Sequence, residues 1–129
     1  MAKKLTLYYD DELNSWIESV HFYLSEIHAL GIRLDEIIAR NSIVDIAAKV
    51  EVHQLLLNKI NKKLGDLLLE LKEQHSLIQK KKNENADAII QKALEKEVKK
   101  MSLIFKKLER EYVDIKYYCN EFLSDILKK

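Results

Sequence analysis

The sequence predicts an all-α protein, an antiparallel three-helix up-down-up bundle with coiled-coil-like packing and a projecting hairpin made by the second and third helices. Three observations carry this. Among 129 residues there is no proline and there are only two glycines, so almost nothing interrupts a helix. Two polar breaks, at "RNSIVD" and "KKKNENAD", divide the chain into three long segments. Each segment repeats apolar residues with the heptad spacing of bundled helices.

The first helix is expected over roughly 11–40, ending at Asn41. Its core positions hold Ile17, Leu24, Gly31 and Ile38 at a, and Leu13, Val20, Ile27 and Leu34 at d. Trp16, Tyr23, Leu30 and Ile37 widen the stripe at g, which calls for two neighbouring helices rather than one. The second helix is expected over roughly 43–81, opened by Ser42 and Asp45 in capping-box spacing. Its a positions hold Ile43, Val50, Leu57, Leu64, Leu71 and Ile78; its d positions hold Ile46, His53, Ile60, Leu67 and Gln74. Asn83 and Asn85 suit the second turn. The third helix, roughly 86–127, carries Val98, Phe105, Tyr112, Cys119 and Ile126 at a and Leu94, Met101, Leu108, Ile115 and Phe122 at d. Short connections make consecutive helices antiparallel, and residues 1–129 form one domain.

With these lengths the first helix covers only part of the hairpin. The tip, about 72–100, should project, and "LTLYY" should fold over some of the bare surface. Leu77 and Ile78 against Ile89 and Ile90 are then the interaction surface, and a second copy or another helical protein is the expected partner.

Composition narrows the function classes. A net charge of +1 gives no strong pull toward nucleic acid or an anionic membrane. No apolar run is long enough to span a bilayer, and the N-terminus turns acidic too soon for a signal peptide, so a cytoplasmic protein is expected. One cysteine excludes an internal disulfide and a cysteine zinc cluster. Cys119 at an a position reads as an inert core thiol. Lysines gather near the hairpin tip, but glutamates interleave them and no aromatic residue lies among them for base stacking. Nucleic-acid binding is therefore disfavoured.

The histidines are the remaining place for chemistry. In "HFYLSEIH", His21 and His28 share a face but stand about 10.5 Å apart along the axis, too far to ligate one ion. Glu26 lies on the opposite side. Glu18 and His21 form a Glu-x-x-His pair, yet di-iron bundles need two such pairs, and Glu18 sits at an outward b position. His53 occupies a core d position. Register counted from the two breaks places it level with Gly31, whose missing side chain leaves room, and with Tyr112, whose hydroxyl can reach an imidazole. The expectation is a satisfied polar layer that fixes register, with Gln74 and Gln91 forming a second. A metal or small-ligand site at His28, His53 and Tyr112 is the alternative. No catalytic set, cofactor or phosphate loop is expected, and Gly65 has no visible reason.

The stretch "SWIESVHFYLSEIHALGIRLDEIIARN" joins an early Trp16, an Arg-Leu-x-Glu-Ile run at residues 33–37 and Asn41 at the break. Over roughly residues 13–80 it resembles a group of small bacterial helical-bundle proteins of unknown function. The resemblance implies a bundle of long helices and carries no activity. The function expected is thus a non-enzymatic interaction or structural bundle.

Overall fold

The computed structural model describes residues 2–40, 43–82 and 88–128, with side chains over 8–40, 43–80 and 92–127. Three helices account for nearly all of it: α1 (Ala2–Arg40), α2 (Val44–Lys82) and α3 (Ala88–Lys128). Contacts fix their directions. Asp10 reaches Gln79 while Asp35 reaches Gln54, so α1 and α2 run antiparallel. Lys63 reaches Glu111 while His53 stacks on Phe122, so α2 and α3 run antiparallel too. Trp16 packs on Phe105 and Glu26 binds Lys116, so α1 and α3 run parallel.

The heptad frame locates the core. Leu13, Val20, Ile27 and Leu34 are buried on α1, as are the a and d residues of α2 from Val50 to Leu71 and those of α3 from Leu94 to Tyr112. On α1 the buried face turns from a/d toward d/g. Leu30 at g is buried, whereas Ile17 and Leu24 at a are half-buried and Ile38 is exposed. A helix lying in the groove between two others centres its stripe on that groove.

α1 begins at Ala2, well before the expected residue 11. The acidic residues that hid its first turns include Asp10, which continues the a column and is buried. Its carboxylate is satisfied by His75 Nε2 at 2.9 Å and Gln79 Nε2 at 3.0 Å. A buried carboxylate is tolerated where such partners exist. α1 therefore reaches the far end of α2, and "LTLYY" is part of the helix instead of a strap across it. The hairpin is not bare through Gln79. Ile78, expected on an uncovered stripe, is 0% exposed inside the bundle. Leu77 faces outward at 43% exposure, and the Ile89 and Ile90 side chains lie outside the described residues.

Register differs as well. His53 lies level with Tyr118 and Phe122, not with Tyr112. Helix ends are not obliged to be level; interdigitating side chains set the stagger, and counting from the loops cannot see it. Gly31 consequently meets no His53. A Cβ at Gly31 would have no atom within 4 Å, and the backbone there is ordinary helix. Gly31→Ala is expected to raise stability by about 0.5–1 kcal/mol, since glycine in a helix costs that much in chain entropy. A urea melt checks it; a loss in place of a gain would mean that the open space above Gly31 is occupied.

Candidate functional site

His53 is the buried histidine that the heptad frame expected, at 4% exposure. Its imidazole packs against Tyr118 and Phe122, with ring centroids 4.5 Å away in each case. These two residues are one helical turn apart on α3, so they grip the ring together. Nδ1 is sealed and has no hydrogen-bond partner. Burial pushes the imidazole pKa below its usual value, which keeps the ring neutral. Beside it lies a cleft of about 290 Å³ between α2 and α3, lined also by Lys49, Val52, Glu121 and Asp125.

Tyr112, expected to satisfy His53, serves another cluster. Its hydroxyl donates to Glu26 on α1. Lys116 Nζ donates to both oxygens of the same carboxylate, at 2.8 and 2.7 Å. Tyr23 donates to Glu109 and stacks on Tyr112, with ring centroids 4.4 Å apart. Phe105 and Trp16 continue the stack below Tyr23, at 6.5 and 5.8 Å. The α1–α3 seam is thus an aromatic ladder topped by a charged pair. Lys116 and Tyr112 together hold the Glu26 carboxyl below its usual pKa. Burial and the nearby Glu109 carboxylate push Tyr23 up to about 12, and burial and Glu26 raise Tyr112 further. Both phenols stay protonated donors at neutral pH, as a structural seam requires.

His28 lies elsewhere again. It lines a groove of about 450 Å³ between α1 and α2, over Gly31, with Asp35, Gln54, Asn58 and Asn61. His28, His53 and Tyr112 therefore face three different surroundings. No group of three metal-capable side chains occurs among the described residues. His75 is bound to Asp10. Cys119 is fully buried, and burial raises its thiol pKa, so it has the character of a core residue. Of the expected second layer, Gln74 is half-buried and the Gln91 side chain lies outside the described residues.

The basic end of the hairpin is partly neutralised where it is described, with Lys99 bound to Glu95 one turn away at 3.2 Å. No helix among the described residues is long and apolar enough to cross a membrane. The Tyr23–Glu26–Tyr112–Lys116 cluster is what sequence reading missed. Its signal was present in the aromatic g positions of α1 and the charged residue one turn after Tyr112, but pairing them required the parallel register of α1 and α3.

No family model, curated protein or solved structure matches the chain.

Proposed function

We propose that the protein is a non-enzymatic interaction bundle that assembles with a second copy of itself through the outward face of α2. The observation that supports this is the pattern of that face. Its outermost stripe runs Asp45, Ala48, Val52, Leu55, Lys59, Lys62, Asp66, Leu69, Glu73, Ser76 and Lys80, and every one of these residues is exposed. Leu55 and Leu69 are 59% and 64% exposed although α2 already buries a full stripe inward. A helix with apolar residues on two sides has a use for a second neighbour.

Away from its centre, where the two Lys62 side chains meet, the stripe is also self-complementary. Turned antiparallel about Lys62, it sets Leu55 against the Leu69 of the other copy, Lys59 against Asp66, and Asp45 against Lys80. A two-fold axis makes each pairing occur twice. None of these five charged residues has an ion-pair partner within the chain among the described residues. A groove of about 450 Å³ beside Leu69 and Leu77 gives the Ala48 and Val52 of the partner somewhere to pack. Leu77 thus keeps a part in the contact, whereas Ile78 is inside the bundle.

Light scattering at tens of micromolar tests this. The expected mass is twice the chain mass of 15.2 kDa. Leu55→Glu should return the protein to a monomer with its helical content intact. Asp66→Lys alone should weaken the assembly, and Lys59→Asp with Asp66→Lys should restore it, because the swap rebuilds the charge pairs. A strict monomer, or a dimer indifferent to Leu55→Glu, overturns the reading.

A further inference from the structure

The cleft at His53 has opposite charges on opposite walls. Lys49 and His53 stand one turn apart on α2, and Glu121 and Asp125 stand one turn apart on α3. Complementary groups facing each other across two helices ordinarily close into an ion pair. Here Lys49 joins neither carboxylate, and Glu121 accepts a hydrogen bond from Tyr117 on its own helix. The space between the walls is about 290 Å³, with Val52, Tyr118 and Phe122 supplying apolar surface.

His53 adds the second, independent observation. A neutral imidazole carries one N–H and one lone pair. Nδ1 is sealed without a partner. A proton sealed there would be an orphaned donor, the costlier of the two choices, so the proton belongs on Nε2. Nε2 is not among the sealed atoms, and His53 lines the cleft. The imidazole therefore offers a hydrogen-bond donor to the cleft beside the Lys49 ammonium. The α2 wall is built for an anion and the α3 wall for a cation.

We propose that this cleft binds a small zwitterion of the free amino acid class. Its carboxylate is held by His53 Nε2–H and Lys49, its ammonium by Glu121 and Asp125, and its side chain packs on Tyr118 and Phe122. The site excludes a simple amine, which leaves the α2 wall unpaired, and a simple carboxylate, which leaves the α3 wall unpaired. Each single-charge analogue forgoes the charge-assisted contacts of one wall and so binds more weakly.

The probe is L-leucine, with 3-methylbutylamine and 4-methylpentanoate as its single-charge analogues. The readout is the imidazole nitrogen resonances of His53 in the intact protein. Leucine should move them saturably, and both analogues should bind at least about tenfold more weakly, a difference of about 1.4 kcal/mol. Asp125→Asn, an exposed change that leaves the fold alone, should weaken leucine at least about tenfold as well. Leu55→Glu should leave binding unchanged, which keeps this result separate from the fate of the assembly through α2. No saturable shift up to about 20 mM leucine, an analogue that binds as well as leucine, or an Asp125→Asn protein that binds normally overturns the proposal.

Discussion

Glu26→Leu is expected to destabilise the protein by about 2–3 kcal/mol. Leucine is close to glutamate in length, so packing changes little and the loss is chiefly polar. The Tyr112 hydroxyl, on a residue that is 3% exposed, loses its acceptor. An unsatisfied buried hydroxyl costs about 1–3 kcal/mol. Lys116 also loses its carboxylate, but it is about one-third exposed and water compensates for much of that. Tyr112→Phe should cost only about 1 kcal/mol, because Glu26 keeps Lys116. Combined, the two changes should cost less than their sum by about 1 kcal/mol, since phenylalanine removes the hydroxyl that Glu26→Leu strands. Urea melts of the four proteins measure this, and strict additivity would mean that the hydroxyl does not depend on Glu26. The pH dependence has a definite sign. The Glu26 pKa is lower folded than unfolded, so its contribution is present above the unfolded value near 4.5 and is lost as pH falls through the folded one.

His53→Leu should act in the opposite direction and in a different pH window. The imidazole is buried neutral with a stranded nitrogen, and leucine replaces it with an apolar group that still packs on Phe122. Exchanging a poorly satisfied buried polar group for an apolar one is neutral or stabilising. The folded-state pKa of His53 lies below the unfolded value of 6.5, so the unfolded chain takes up a proton first. The native protein is at full stability above pH 6.5 and loses up to about 1.4 kcal/mol per pH unit as pH falls from there to the folded pKa. Below that the loss is constant. The advantage of His53→Leu should therefore be small at pH 7.5 and grow as pH falls below 6.5, until the folded pKa is passed. The other three histidines are present in both proteins, so the difference curve isolates His53. A difference that does not change between pH 7.5 and pH 5 would mean that His53 is accessible to protons in the folded state.

Both expectations concern polar residues inside an apolar frame, and they separate what a linear chain displays from what it conceals. The frame was legible because a heptad is a local property. Leu13, Val20, Ile27 and Leu34 lie on one face of any helix that contains them, and the same rule put His53 in the core before its neighbours were known. The polar partners were not legible, because each depends on a stagger set elsewhere. Asp10 reads as a helix boundary until His75 and Gln79 are placed beside it. Gly31 reads as room for His53 until the two prove to be on different levels.

Three long helices, the residues that face inward and the burial of one histidine follow from the linear chain. These follow from backbone periodicity, the absence of proline and the cost of exposing apolar surface, all of which act within a helix or between a helix and water. The tertiary structure alone decided how far each helix slides along its neighbours. That choice gave Tyr112 to Glu26, closed α1 over the end of α2, and set Lys49 and His53 across an open cleft from Glu121 and Asp125. Sliding one helix by a heptad leaves the apolar pattern unchanged and exchanges every polar partner, so the heptad pattern specifies the bundle while the interlocking of particular side chains specifies its sites.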